Sequence, residues 1–163
     1  MHYKKYKIGL VTLSPFPIGN VSTVRYTSYL SALATRGVFT KVYIFAPSRS
    51  AKYNKTREGV YEGIHYEYLQ DISWSKKPNL FKKIFYYLKG LCLTFNKLRV
   101  DKISHMILYH QNYLSYCLFW IFCRVYGVRL LTDKSEYPYG YTKMGCLKRR
   151  IATLFLKVFD GYI

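Results

Sequence analysis

Tyr6-Lys7-Ile8-Gly9-Leu10-Val11-Thr12-Leu13, followed by Ser14-Pro15-Phe16-Pro17-Ile18-Gly19-Asn20, decides how this chain is read. The first eight residues have the apolar run of a buried strand. The next seven hold two prolines, one glycine and an asparagine, a turn that stops the strand and can cap a helix. A helix is expected from Asn20 or Ser22 to Gly37, with Ser22, Tyr26, Tyr29, Leu30 and Leu33 along one stripe. A second buried strand follows over 39–46, centred on Val42-Tyr43-Ile44-Phe45. Strand, loop, helix and parallel strand form the unit from which open α/β sheets are wound.

Working outward, residues 48–57 form a polar segment with Arg49, Lys52, Lys55 and Arg57, read as a mobile, solvated loop. Residues 59–69 alternate like a single strand with one wetter face. Asn79, after Pro78, is placed to cap a helix whose apolar positions are Leu80, Ile84, Leu88, Leu91, Phe95 and Leu98. Lys82, Lys83, Lys89 and Lys97 fall off that stripe. From Lys76 to Lys102 eight basic residues accompany one acid, Asp101, and Trp74, Tyr86 and Tyr87 are expected to be exposed beside them. This is the pattern of a helix lying on a membrane surface, and also of a solvated helix in a soluble domain.

A short strand over 104–110 leads into the apolar segment 113–126. That segment would be a helix of roughly 21 Å, short of the roughly 30 Å hydrocarbon layer, so it is expected as a buried core helix. Residues 128–132 make another strand, 145–159 a last amphipathic helix, and 160–163 the start of one more strand. The whole describes a single Rossmann-like α/β domain over residues 1–163, with three layers and a mostly parallel sheet. Because it ends at the start of a strand, a fragment of a longer protein is expected.

Twenty-six lysines and arginines against eight acids give a net charge of +18, a field that attracts polyanions, anionic membranes or phosphate-rich substrates. Four cysteines (Cys92, Cys117, Cys123, Cys146) show no CxxC pair, and no secretory signal is read before the first strand. Reduced thiols serving as apolar filler in a cytoplasmic protein are the expectation. The Asn54-Lys55-Thr56 and Asn20-Val21-Ser22 sequons are then chance matches. No GxGxxG or GK[ST] pattern supports a dinucleotide or P-loop site, and the four histidines lack metal-ligand spacing. In a parallel sheet, sites lie at the carboxyl ends of strands. Those ends supply the loop over 15–20, the 109–111 segment and the loop over 133–138. Gly19 alone also suits a plain turn.

Several stretches together resemble a known family: Lys7-Ile8-Gly9-Leu10-Val11, Phe16-Pro17-Ile18-Gly19-Asn20-Val21, Leu30-x-x-Leu33-x-x-Arg36-Gly37, Val42-Tyr43-Ile44, Gly59-Val60-Tyr61-Glu62-Gly63, Tyr109-His110 and Glu136-x-Pro138. In order and spacing they are similar to the amino-terminal, acceptor-side domain of family 4 glycosyltransferases with the GT-B fold. The resemblance implies half of a GT-B fold and a retaining hexosyl-type transfer. The donor would be a nucleotide-sugar, no metal or other cofactor would take part, and the acceptor would be a cell-surface glycan or a lipid-linked one. It places Gly19 and Asn20 in a loop facing the donor phosphates, though Asn20 stands where a second glycine is frequent. It makes His110, Asp133 and Glu136 cleft candidates; Asp133 stands where the family often has a histidine. No residue of this chain is assigned as the catalytic group, and the phosphate grip would come from a carboxyl-terminal domain. Such enzymes often work at the cytoplasmic leaflet, so a peripheral location at the inner membrane face is implied, with Lys82, Lys83, Lys89, Lys148, Arg149 and Arg150 facing it. The rival readings are a non-enzymatic basic module that binds nucleic acid and a scaffold subunit pairing with a separate catalytic half. No helix-turn-helix, zinc-finger or RNA-recognition signature favours nucleic acid.

Overall fold

The computed structural model describes residues 6–45, 53–70, 79–109, 113–133 and 159–162. Its elements in chain order are β1 (Lys7–Thr12), α1 (Val21–Ala34), β2 (Phe39–Ile44), β3 (Glu58–Tyr61), β4 (Ile64–Tyr68), α2 (Leu80–Val100), β5 (His105–Leu108), α3 (Tyr113–Tyr126), β6 (Arg129–Thr132) and β7 (Gly161–Tyr162). The strands form one sheet in the order β3-β4-β2-β1-β5-β6-β7. All neighbours are parallel except β3 and β4. The α/β class with a mostly parallel, Rossmann-like sheet is therefore as expected. The expected helix over 145–159 lies outside the described residues.

Helices cover both faces of the sheet. Leu10, Val42, Ile44 and Ile107 point to one side, where they pack with Tyr26 and Leu30 of α1. Val11, Tyr43, Met106 and Leu108 point to the other, against Leu91 and Leu98 of α2 and Phe119 and Phe122 of α3. This alternation explains why β1, β2 and β5 read as continuous apolar runs: both faces are dry.

Several expectations are corrected. The stretch 59–69 is a hairpin, because Glu62 (φ 50°) and Gly63 (φ 77°) both take positive φ. That pair is the geometry of a two-residue turn whose twist matches the strands it joins. The segment read as a mobile loop is held over residues 53–57. Asn54 is buried, and Arg57 donates from Nε to the Tyr68 carbonyl at 3.0 Å. Finally, α3 is only half a core helix. Ser115, Phe119, Phe122 and Cys123 are buried, while Leu114, Ile121 and Val125 are exposed.

The stripe proposed for α2 likewise holds only in its second half. Leu91 and Leu98 are buried, but Leu80, Ile84 and Leu88 are exposed. Gln70 shows why: its Nε2 donates to the Phe45 carbonyl just beyond β2 (2.6 Å) and to the Tyr86 carbonyl of α2 (2.7 Å). Tyr86 is thus level with the carboxyl end of the sheet, and residues 80–85 run past it. Tyr86 and Tyr87 are half-buried rather than exposed, and Tyr87 packs edge-on to Phe45; Trp74 lies outside the described residues.

Candidate functional site

The strand order reverses between β1 and β5: from β1 the chain winds one way through β2 to β4 and β3, then returns to the other side of β1 and continues through β6 and β7. Connections leaving the two central strands diverge there to opposite faces, which opens a crevice at their carboxyl ends. Register brings the ends together. Val11 pairs with Leu108, and Leu108 with Thr132. The Tyr109 N–H donates to the Val11 carbonyl at 3.1 Å, and the Thr132 hydroxyl to the Leu108 carbonyl at 3.2 Å.

The loop over 13–20, on one side of this crevice, is fastened from three directions. From β4, the Tyr68 hydroxyl accepts from the Phe16 N–H (3.0 Å) and donates to the Phe16 carbonyl (2.9 Å). From the 53–57 segment, the Asn54 amide accepts from the Ile18 N–H (3.0 Å) and donates to the Ile18 carbonyl (2.8 Å). From α1, the Thr23 hydroxyl donates to the Pro15 carbonyl at 3.0 Å. The Phe16 ring sinks among Tyr26, Tyr61 and Tyr66, and the Phe16-Pro17 peptide is cis.

Gly19 and Asn20 are exposed at the far end of the loop. A Cβ on Gly19 would lie 2.1 Å from the Thr23 hydroxyl oxygen and 2.4 Å from the Pro15 carbonyl oxygen, so the loop's own packing accounts for the glycine. The Asn20 side chain accepts from the Thr23 N–H at 3.2 Å and caps α1 as expected. The start of α1, with its partial positive charge, is thereby fixed beside the crevice.

On the other side, Asp133 follows β6 directly. Its carboxylate lies close enough to Tyr29 of α1 to push the phenol's pKa up, after burial, which is the larger cause; Arg25 acts in the opposite sense. Tyr109 adds to the same effect, so Arg25, Tyr29, Tyr109 and Asp133 form one electrostatic group. The Tyr29 hydroxyl is buried and has no hydrogen-bond partner among the described residues. Sequence reading found Asp133 but placed Tyr29 only on the apolar stripe of α1. The signal available was a tyrosine on a helix that flanks a strand end.

Lys82, Lys83 and Lys89 lie exposed on the first part of α2, away from this group. His110, Glu136, Lys148, Arg149 and Arg150 lie outside the described residues. Among the described residues no group of three or more His, Cys, Asp or Glu is placed to hold a metal ion, and no helix is long and apolar enough to cross a membrane. Comparison with protein-family models gives no match, and neither does comparison with curated proteins.

Proposed function

We propose that the crevice between β1 and β5 is one wall of a glycosyltransferase cleft that moves a sugar from a nucleotide-sugar to a cell-surface glycan or lipid-linked acceptor. The observation that carries this reading is the convergence at one sheet edge of a braced loop, a capped helix start and the group formed by Asp133, Tyr29, Tyr109 and Arg25. Sugar transfer expels a nucleoside diphosphate, so fixed N–H dipoles and positive charge near the leaving group lower the barrier. The loop ending in Gly19 and Asn20 faces those phosphates through its backbone, and its bracing removes the cost of ordering it during the reaction. The Asp133 carboxylate offers a hydrogen-bond acceptor for a sugar hydroxyl. His110 and Glu136 complete the acceptor side on the strength of the family resemblance, and a second Rossmann-like domain supplies the remaining grip on the donor.

The test is transfer from a panel of UDP- and GDP-sugars by the 163-residue chain and by a longer polypeptide that continues into a second domain. The chain alone is expected to turn over negligibly and the longer protein measurably. Asp133→Asn in the longer protein should lower kcat by about tenfold or more without shifting its melting temperature. Robust transfer by the short chain would remove the need for a second domain, and no transfer by either would overturn the reading.

A further inference from the structure

Between α2 and α3 runs an apolar trough that nothing among the described residues fills. On its α2 side Phe81, Phe85, Leu88, Cys92 and Phe95 follow one line, with Phe81 83% and Phe85 63% exposed. On its α3 side stand Leu114, Leu118, Ile121 and Val125, the last 71% exposed. The helices run parallel, because their contacts advance along both in the same direction: Tyr87 with Ser115, Phe95 with Phe119 and Phe122, Arg99 with Tyr126. From Tyr87 to Arg99 is about 18 Å of helix. At that lower end the trough widens into an open-sided recess of about 480 Å³, between Phe95 and Arg99 on one side and Leu118, Ile121 and Val125 on the other. Phe159, where the chain re-enters the core, packs on Tyr116, on the flank of α3 turned away from the trough. Single exposed apolar residues are ordinary, but two continuous lines around a recess mark a binding surface.

Shape and charge select the occupant. A recess between two parallel helices receives a ridge of side chains, as helices pack on one another, whereas a flat layer would leave it empty. Residues 79–127 hold seven lysines and arginines and one acid, Asp101, whose carboxylate is taken by Lys41 and Tyr43. Lys82 and Lys89 lie about a quarter-turn round α2 from its apolar line, on the rim away from α3, and Arg99 stands at the lower end. A second copy would set +18 against +18. We propose that the trough binds an acidic amphipathic helix of a partner protein, about three turns long. Its apolar stripe, with anchors one helical turn apart, lies on Phe85, Leu88, Phe95, Ile121 and Val125, the way an amphipathic helix seats in a groove. Its acidic residues meet Lys82 and Lys89 on one rim, which fixes the partner's orientation more than it adds affinity. Because residues 80–85 project past the carboxyl edge of the sheet, one end of the bound helix stands beside the crevice. The inference rests on the trough and is independent of the transfer chemistry.

The experiment is fluorescence anisotropy of the 163-residue chain with a labelled synthetic helix of about four turns, leucines along one stripe and glutamates beside it. The control is the same peptide with lysine in place of every glutamate. The acidic peptide should bind at least about tenfold more tightly than the basic one. Phe85→Ser/Leu88→Ser and Ile121→Ser/Val125→Ser should each weaken it by about tenfold or more. Leu114→Gln/Leu118→Gln is an independent pair should either fail to keep the parent's circular dichroism. Lys82→Glu/Lys89→Glu should abolish the preference for acid, and saturating peptide should slow iodoacetamide labelling of Cys92, which lies on the α2 line. If the acidic peptide does not bind, or the apolar variants bind it as the parent does, the proposal is overturned. If Cys92 of the free chain reacts as slowly as Cys123, the chain covers the trough itself and no partner is needed. A dimer that Ile121→Ser/Val125→Ser dissociates would give the face to a second copy. Binding to phosphatidylglycerol vesicles that the same variant abolishes, with no binding of the peptide, would give it to lipid.

Discussion

Gly19 and Asn54 do unlike things for the same loop, and each is open to a simple substitution. Gly19→Ala drives a methyl group into Thr23 and the Pro15 carbonyl, which sit 2.1 Å and 2.4 Å from the new atom, so the loop must shift. A loss of about 1–3 kcal/mol is expected in urea unfolding. Asn54→Ala leaves the Ile18 N–H and carbonyl without the partners they now have, and a similar loss of about 1–3 kcal/mol should follow. The glycine was legible in the sequence as a turn residue. What fills the space beside it was not, and Asn54 was invisible because its partner is 36 residues away and the loop that carries it reads as a polar one. The buried amide also makes the Asn54 sequon a poor glycosylation acceptor. Thiol chemistry divides in the same way by burial: the Cys123 thiol is pushed up to about 12, chiefly by burial, while Cys92 is exposed. In the folded protein, iodoacetamide should label Cys92 well before Cys123, read by peptide mass spectrometry; equal rates would mean that α3 opens readily.

At the scale of elements, β2, β4 and α2 are tied by one ionic cluster. Lys41 Nζ lies 2.9 Å from Glu67 and 2.8 Å from Asp101, Lys97 Nζ lies 2.6 Å from Glu67, and the Tyr43 hydroxyl donates to Asp101 at 2.6 Å. Burial by itself would raise the pKa of Glu67, but hydrogen bonds from Lys97 and Lys41 outweigh it and hold the carboxyl below its usual range; Lys41 and Tyr43 do the same for Asp101. A depressed carboxyl stabilises the fold above its unfolded pKa, about 4.3 for Glu and 3.9 for Asp, and that contribution is lost as pH falls through the lower folded values. The raised pKa of Lys41 acts at the other end: its contribution is complete below about 10.4 and is lost as pH rises beyond the folded value. The melting temperature should therefore drop below about pH 4. Glu67→Gln should cost about 2 kcal/mol at neutral pH, less than a fully buried pair because Lys97 stays partly in water. It should also flatten the acid limb, and an unchanged limb would dissociate the cluster from acid stability. None of these pairings was legible, since Lys41 looked like one strand residue among many. The bounds of α2 and α3 came from the Asn79 cap, the apolar spacing that follows it and the unbroken apolar run before Gly127. Which part of each stripe is covered did not, because burial depends on where the sheet ends, and that is set by strand lengths elsewhere in the chain.

For the whole molecule, alternating strands and helices were enough to read a wound parallel sheet, while the antiparallel β3–β4 hairpin hid in a run whose turn is marked only by Glu62-Gly63. The remaining global property, charge, was legible at once, and the structure gives it a mechanical consequence. With +18 spread over one domain, the folded state works against its own repulsion, whereas the chain expands and relieves it on unfolding. Added salt shortens the screening length from about 30 Å at 0.01 M to about 8 Å at 0.15 M, which weakens repulsion between distant exposed lysines more than it weakens the contact pairs around Lys41. The melting temperature at neutral pH should therefore rise by a few degrees between about 0.01 M and 0.15 M sodium chloride. In Glu67→Gln, one more positive unit at neutral pH should steepen the salt response further. A melting temperature that falls with salt in both proteins would mean that the short-range pairs outweigh the global field, and the basic surface would then be neutral toward stability.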